Sequence, residues 1–224
     1  MLNKKQVDRV LQILETTYGN TGTALKFNTP FQLLVATMMA AQSTDKQVNK
    51  ITESLFKEYP DVAAFAQLTP EELEEKIKRV GLYRSKARNI IATARKILDE
   101  FDGQVPMSRE ALMSLPGVGR KTANVVLSVG FGEDAIAVDT HVFRVANRIG
   151  LANAPDPLKT EQQLMENIPR EKWSQAHHWL IWHGRKICKA QNPRCEVCPL
   201  TDYCEYYQKT RQKEYDEIQH MSDK

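Results

Sequence analysis

The stretch that decides the fold is Leu115-Pro116-Gly117-Val118-Gly119-Arg120-Lys121-Thr122-Ala123. One glycine on each side of an apolar residue predicts a tight turn whose exposed backbone amides allow an anion to come close. The residues after the turn predict a helix that begins at once, so the N–H groups and the positive dipole end of that helix add to the same anion site. We therefore predict a helical hairpin that holds phosphate.

Two charged side chains accompany this turn. Lys121 lies in the first turn of the predicted helix, and Asp139 follows in the sequence Val138-Asp139-Thr140-His141. An amine and a carboxylate beside a phosphate-holding turn are suited to chemistry on a nucleic-acid backbone. Simpler interpretations remain open at this point: Lys121 as a solvated lysine or a phosphate contact, and Asp139 as the N-cap of a helix that begins at Thr140.

The composition is that of a globular protein rather than of a membrane protein. The chain has 224 residues, of which 42% are hydrophobic, and 31 basic against 28 acidic residues give a net charge of +3. Nucleic-acid binding therefore depends on where the positive charge lies, not on its total. The most apolar run, residues 33–41, is too short to span a bilayer, and no signal-peptide core precedes it. We predict a cytoplasmic protein without a membrane partner.

Helix signals dominate the chain and strand signals are almost absent. Apolar residues recur at helical spacing from Val7 to Leu14 and again from Ile90 to Phe101. Capping residues and prolines mark helix starts, as in Thr69-Pro70-Glu71-Glu72. The fold class is all-α, with about ten short helices, and the hairpin occupies residues 108–129. The polar segment 205–224 is expected to be a frayed helix or a disordered tail.

All four cysteines of the chain lie within seventeen residues. Their spacing is C-x6-C-x2-C-x5-C, with a proline directly after the third: Cys188, Cys195, Cys198 and Cys204. A reducing cytoplasm makes disulfides an unexpected use for them. Structural zinc usually takes two close pairs, whereas this set has one close pair and two wider arms. The spacing alone leaves zinc and an iron–sulfur cluster open.

Together, the hairpin with its lysine, the Val-Asp-Thr-His sequence and the cysteine quartet resemble the endonuclease III family of helix-hairpin-helix DNA glycosylases. The resemblance runs from about residue 31 to residue 204. It implies a two-lobed all-α fold, with a helical bundle over 21–132 and an iron–sulfur cluster domain formed by 1–20 and 133–204. It also implies that the four cysteines hold a [4Fe–4S] cluster, and that Lys121 and Asp139 face each other across the cleft.

The resemblance further implies an activity. The chain is expected to be a monomeric base-excision-repair enzyme, associated with the nucleoid, that removes oxidised pyrimidines from double-stranded DNA and nicks the resulting abasic site. Lys121 would attack the sugar and form a Schiff base, and Asp139 would stabilise the transition state. Two alternatives are a monofunctional mismatch or adenine glycosylase of the same fold, and a non-catalytic hairpin protein that only binds DNA. The related adenine enzymes carry a small hydroxyl residue in place of Lys121, and the mismatch thymine enzymes carry a tyrosine.

Two further residues match the family's base-flipping positions. Leu82, in Val80-Gly81-Leu82-Tyr83, corresponds to a wedge that enters the base stack, and Gln42 corresponds to the residue that fills the vacated space. Without the resemblance, the sequence pattern places Leu82 in the core and its surroundings in an ordinary turn between helices.

The remaining expected DNA contacts hold phosphate. They are the hairpin residues and two cations in the loop between the first two cysteines: Gly117, Val118, Gly119, Lys189 and Arg194. The loop also contains neutral Gln191 and Asn192, which makes it less basic than related loops. Lys189 and Arg194 as solvated charges remain the simpler interpretation.

Overall fold

In a computed structural model, which describes residues 1–212, the chain is helical and contains no strand within that range. The bounds of the α-helices are α1 Lys4–Tyr18, α2 Pro30–Ala40, α3 Asp45–Glu58, α4 Val62–Ala66, α5 Pro70–Ile77, α6 Tyr83–Glu100, α7 Arg109–Met113, α8 Arg120–Val125, α9 Thr140–Ile149, α10 Pro157–Asn167 and α11 Trp173–Lys186. A π-helix, Val126–Gly130, continues α8, and two 3₁₀ turns are Arg170–Lys172 and Cys195–Val197. The predicted all-α class is confirmed.

The chain forms two compact units. One is Thr23–Ala135, and the other combines Met1–Gly22 with the chain from Ile136 onward. We call them the bundle unit and the cysteine unit. The sequence-based division set the bundle at 21–132. No helix within residues 1–212 is long and apolar enough to cross a membrane.

In the bundle unit, α2 is the central helix. Its nine consecutive residues from Phe31 to Met39 are all buried, among side chains of α3, α4, α5, α6 and the hairpin. Thr29 caps it by accepting from the Gln32 amide, and Pro30 occupies its first position. The helix ends at Ala40 because Ala41, at its C-cap, has a non-helical ψ of 119°, and Gln42 follows with a φ of +55°. A left-handed residue cannot continue a right-handed helix.

In the cysteine unit, α1 packs with α9, α10 and α11 around an apolar core. The predicted face of α1, from Val7 to Leu14, lies in that core with Val142 and Val145 of α9. Indole N–H groups of α11 donate to backbone carbonyls: Trp173 to Ile168 and Trp179 to Gly19. These tryptophans therefore act as packing residues.

The predicted tail divides into two parts. Residues 205–212 are helical, and the Glu205 carboxylate lies 2.6 Å from the Met1 ammonium nitrogen. Residues 213–224 of the predicted tail lie outside the described residues. The segment directly after the last cysteine is therefore a helix of the cysteine unit rather than a disordered extension.

Candidate nucleic-acid interface, catalytic residues and cysteine site

The hairpin turn requires glycine at Gly117 for two separate reasons. Its φ is +75°, a conformation that L side chains rarely adopt. A Cβ atom built there would lie 2.7 Å from Asn89 Nδ2 and 2.9 Å from Asn89 Cβ. Gly119 differs, since its φ is −90° and no atom lies within 4 Å of such a Cβ. Only the first glycine of the motif is therefore fixed by both backbone and packing.

The hairpin is attached to the bundle by polar and apolar contacts. Thr93 Oγ1, on α6, donates to the Pro116 carbonyl at 2.9 Å. Arg109 Nε, on α7, donates at 2.8 Å to Oδ1 of Asn124 on α8 and so joins the two hairpin helices. Val118 points into the core. The backbone of the turn thus faces outward, while packing and hydrogen bonds attach the hairpin to the bundle.

Lys121 is the second residue of α8 and is exposed. Gly119 caps this helix without a side-chain acceptor, so the cap itself leaves the first-turn amides to other partners. Arg120 precedes it and is half-buried. The structure therefore places an amine directly beside the turn, where the sequence predicted it.

The two expected base-flipping residues lie in adjacent loops of the bundle unit. Gln42 and Leu82 are both exposed and both left-handed, with φ of +55° and +58°. The Gly81 amide donates to Ser43 Oγ at 3.1 Å, which joins the loops. Leu82 is 60% exposed, so its assignment to the core from the sequence pattern is wrong. The apolar spacing gave the wrong prediction because Leu82 is the N-cap of α6, in a left-handed conformation, rather than part of a helix.

Asp139 begins α9 in the cysteine unit. Its Oδ1 accepts from the Val142 amide at 2.8 Å, which confirms the N-cap interpretation. The neighbouring His141 has a lowered pKa, because burial outweighs the opposing effect of the Asp139 carboxylate. His141 Nδ1 lies 3.1 Å from Arg144 Nη2, and the guanidinium donates in this contact. A neutral imidazole therefore stands next to the half-buried carboxylate.

The four cysteines line one cavity with Ile149, Ile187 and Leu200. Burial raises the pKa of Cys198 to about 11, and the charges of the other three cysteines add to the rise. Within residues 1–212, no three His, Cys, Asp or Glu side chains are grouped for a single metal ion. Mutually repelling thiolates in an apolar cavity fit a cationic polynuclear core, which would neutralise them.

Two arginines of α9 hold the chain that follows the first cysteine. Arg148 donates through Nη1 to the Lys189 carbonyl at 2.6 Å and through Nη2 to the Ala190 carbonyl at 2.9 Å. Arg144 Nε donates to the Cys188 carbonyl at 3.1 Å. Sequence patterns did not single out either arginine, although their spacing of four places them on one face of α9.

A buried histidine contacts another cysteine. His183 Nε2 lies 3.5 Å from Cys198 Sγ, and its Nδ1 lies 2.9 Å from the Tyr18 hydroxyl. Burial lowers the pKa of His183 to about 4, so this imidazole is neutral. One nitrogen of a neutral ring donates and the other accepts, which allows the ring to bridge the phenol and the sulfur.

The loop between Cys188 and Cys195 exposes both expected phosphate contacts. Lys189 and Arg194 are on the surface, and Arg194 Nε lies 3.7 Å from Glu196 Oε1. The charge of Arg194 is therefore partly compensated within the loop. Their contact with DNA stays a prediction.

Comparison with known proteins then identifies the family. The model described as HhH-GPD superfamily base excision DNA repair protein matches residues 35–170, and the iron-sulfur binding domain of endonuclease III matches residues 188–204. Endonuclease III of Bacillus subtilis is 46% identical over 95% of this chain and 98% of its own. The chain belongs to the endonuclease III family. Endonuclease III of Escherichia coli K12 is also 46% identical, over 93% of this chain and 99% of its own.

Solved structures agree with this family. A trapped endonuclease III–DNA covalent intermediate superposes with a TM-score of 0.90 at 45% identity, covering 94% of this chain and 100% of that one. A non-covalent endonuclease III–DNA complex also gives 0.90 at 45% identity, covering 95% and 100%. A thermostable thymine-DNA glycosylase gives 0.83 at 24% identity, which shows a common fold alone.

For this endonuclease III family member, the cysteine site is an iron–sulfur site. The cofactor is a [4Fe–4S] cluster, as predicted, and zinc is set aside because the matched domain binds iron–sulfur. Four thiolates complete the ligand set of such a cluster, which would leave no open position for substrate. The cluster would therefore supply structure to the loop rather than take part in the bond-breaking step.

The two units divide the predicted site residues of this endonuclease III family member. The bundle unit holds the hairpin, Lys121, Gln42 and Leu82, while the cysteine unit holds Asp139 and the cysteines with their loop. Within the bundle unit, the structure brings the loops of Gln42 and Leu82 together. The predicted approach of Lys121 to Asp139 stays a prediction.

Proposed function

We propose that Lys121 is the nucleophile with which this protein removes oxidised pyrimidines from double-stranded DNA and nicks the abasic site. The protein is a base-excision-repair enzyme, a DNA glycosylase with AP lyase activity. The observation that carries the assignment to Lys121 is an exposed amine in the first turn of α8, directly after the hairpin turn. The related monofunctional enzymes lack an amine at this position.

The reaction requires the amine in its neutral form. The lysine nitrogen attacks C1′ of the sugar, and the bond from C1′ to the base breaks as the base leaves with the electron pair and gains a proton. Ring opening gives a Schiff base between lysine and C1′. Loss of a proton from C2′ then expels the 3′ phosphate, which cleaves the strand. A free lysine has a pKa of about 10.4, so burial of the amine, the positive end of α8 or the cationic neighbour Arg120 has to favour deprotonation.

Asp139 is proposed as the carboxylate that stabilises positive charge on the sugar as the base departs. The capping bond to Val142 occupies one of its oxygens and fixes the orientation of the group. The other oxygen remains available to an ammonium group or to a sugar cation. The capping role and the catalytic role are therefore compatible in one side chain.

DNA binding is proposed to begin with phosphate. The hairpin backbone at Gly117, Val118 and Gly119 would hold one phosphate group irrespective of sequence, and Lys189 and Arg194 would hold others. Leu82 would enter the stack as a wedge, and Gln42 would fill the space left by the flipped base. We place the enzyme in the cytoplasm, on the nucleoid, acting as a monomer.

Reduction with borohydride during turnover tests the nucleophile. Wild-type protein incubated with a duplex that contains thymine glycol should become covalently attached to the DNA. Lys121→Gln keeps the polarity and much of the length of the side chain, so it should bind lesion DNA but lose both the adduct and strand cleavage. Lys57→Gln, at an exposed position of α3, is the matched control and should behave as wild type.

Two results would contradict this assignment. A Lys121→Gln protein that forms the adduct at the wild-type level would show that another amine attacks the sugar. A wild-type protein that frees the base but neither nicks nor traps would be monofunctional, and Lys121 would then be a phosphate contact only.

A further inference from the structure

Lys86 is a buried cation of the bundle unit whose ammonium contacts the end of another helix. The residue is 7% exposed and lies in the first turn of α6. Its Nζ donates to the Met39 carbonyl at 2.8 Å, to the Ala41 carbonyl, and to Ser43 Oγ at 3.4 Å. Burial lowers the pKa of this amine. Three acceptors on the α2 side therefore surround the three donors of one ammonium group.

Two of these acceptors, the Met39 and Ala41 carbonyls, belong to the end of α2, where carbonyls lack intrahelical partners. The last carbonyls of α2 have no intrahelical donor, and they form the negative end of the helix dipole. A cation at this end satisfies the carbonyls and stabilises the chain reversal that follows Ala40. Gln42 is the next residue but one, so the ammonium supports the backbone on which Gln42 stands.

The backbone of Lys86 supports the second loop at the same time. Its amide donates to the Leu82 carbonyl at 3.0 Å, which closes the first turn of α6. One residue therefore holds the Leu82 loop through its main chain and the Gln42 loop through its side chain.

The two loops also touch directly, with little spare room. Ser43 Oγ accepts from the Gly81 amide, and a Cβ atom built on Gly81 would lie 3.2 Å from the Gln42 carbonyl oxygen. Both exposed residues, Gln42 and Leu82, have left-handed backbones. Non-glycine residues keep such conformations only where the surrounding structure holds them.

We infer that Lys86 is a positioning residue that fixes Leu82 and Gln42 relative to each other, so that wedge and filler enter the DNA as one preformed unit. The inference rests on the proposed base-flipping roles of those two residues. It assigns to Lys86 no contact with DNA.

The chemistry of the pocket explains why the residue is a lysine. Methionine has a similar length but no donor, so it would leave buried carbonyls unsatisfied and free the α2 end to relax. Arginine carries a planar fork that does not match acceptors arranged around a point. Neither side chain reproduces the contacts of an ammonium group.

The test compares Lys86→Met with Lys96→Met, a control on the same helix where Lys96 pairs with Glu100. Duplexes carry either thymine glycol or a preformed abasic site, with 2-aminopurine opposite the lesion as a fluorescent reporter of local unstacking. We expect single-turnover base removal by Lys86→Met to fall roughly 10- to 100-fold, the range that small misplacements produce. Nicking of the preformed abasic site should fall much less, because no base has to be extracted, and the fluorescence change on binding should be lost.

The ratio of the two rates separates positioning from general damage to the fold. Loss of folded protein lowers base removal and nicking by the same factor, whereas misplaced flipping residues lower base removal selectively. If Lys86→Met is insoluble, Ser43→Ala takes its place in the test. This variant removes the acceptor that links both loops and should lower the ratio of base removal to abasic-site nicking to a smaller extent. A wild-type ratio and fluorescence change in the soluble variant would overturn the inference.

The proposed function fails through a different result. Absence of base removal and of a borohydride adduct in the wild type would contradict the proposed function itself. Wild-type catalysis together with normal flipping in Lys86→Met would contradict only the role assigned to Lys86.

Discussion

The hairpin turn and the cysteine loop are both expected to hold DNA phosphate, yet they are built in opposite ways. The turn is fixed by a left-handed glycine packed on Asn89 and by a carbonyl bonded to Thr93. The loop after Cys188 is held by guanidinium groups of α9, and we expect cluster ligation by its cysteines to fix it further. The residues also divide by unit: the bundle unit, Thr23–Ala135, contains neither cysteine nor histidine. The hairpin turn therefore depends on backbone conformation and packing, and the cysteine loop depends on ligation and on charged hydrogen bonds.

This difference determines how each surface fails. Shape is lost through added volume or backbone strain, and the loss is local and graded. Ligation is lost through one missing ligand, and the loss removes the structure of the whole segment. Substitutions in the cysteine loop should therefore divide into very large and very small effects, while those in the hairpin turn should be intermediate.

The largest effect is expected for Cys198→Ser. Structural metal sites contribute about 10–16 kcal/mol in zinc peptides, which matches or exceeds the whole stability of a typical domain, about 5–15 kcal/mol. The variant should lose iron and visible absorbance, and most of it should be insoluble. Val197→Ser, at the exposed neighbouring position, is the control and should retain about four irons per chain, as the cubane formula requires. A soluble Cys198→Ser protein with a full complement of iron would contradict this account.

An intermediate effect is expected for Gly117→Ala, with Gly119→Ala as its partner. The first change adds strain at a positive φ and a clash with Asn89, and should lower the free energy of unfolding by about 2–4 kcal/mol. The second adds a methyl group in open space at a cap, and should cost less than about 1 kcal/mol. Urea unfolding measures both, and duplex binding by the first should weaken regardless of sequence. Equal losses of unfolding free energy in the two variants would show that neither the positive φ nor the contact with Asn89 requires glycine at Gly117.

Acid should act on the cysteine unit through its buried histidines. Burial lowers the pKa of His178 to about 4, so the folded state protonates this side chain only at a lower pH than the unfolded state does. The contribution to stability is complete above the unfolded pKa of about 6.5 and is lost as the pH falls towards 4. By pH 5 this linkage should cost about 2 kcal/mol relative to pH 7.5. In His178→Gln, the loss of unfolding free energy between pH 7.5 and pH 5, measured by urea unfolding, should be smaller by that amount. An unchanged loss would assign the acid sensitivity to other groups.

The smallest effects are expected for the loop cations. Lys189→Ala and Arg194→Ala should each reduce the salt dependence of DNA binding by about one counterion if they contact phosphate. Glu196 already lies near Arg194, so the change at Arg194 should be the weaker of the two. An unchanged slope in both variants would assign these side chains to solvent.

Local patterns in the sequence predicted helices and caps well. Thr69 caps α5, Ser108 caps α7 at the predicted start of the hairpin, and Asp139 caps α9, which begins at Thr140 as the sequence indicated. These features succeed because they depend on neighbours a few residues away. The short helix α4 and the π-helix after α8 were not predicted, because their residues carry no distinctive spacing.

Contacts between distant segments were the part that sequence patterns missed. Lys86 heads the buried stripe that continues through Ile90 and Ala94, and a lysine in such a stripe is a signal that was available. Its three acceptors on the α2 side lie about forty-five residues earlier in the chain, so no local rule names them. The arginines of α9 were missed for the same reason, since their acceptors follow about forty residues later.

The helix α9 joins two properties that are usually studied separately. Asp139 caps its first turn, and Arg148, about 14 Å along the axis, holds the loop of the first cysteine. Substitutions so far apart normally have additive effects, but these two act on one short rigid element. We therefore expect epistasis between them: a weakened iron-binding loop should make the enzyme less tolerant of changes at Asp139, the proposed catalytic carboxylate. Natural variants at either position are best interpreted as a pair.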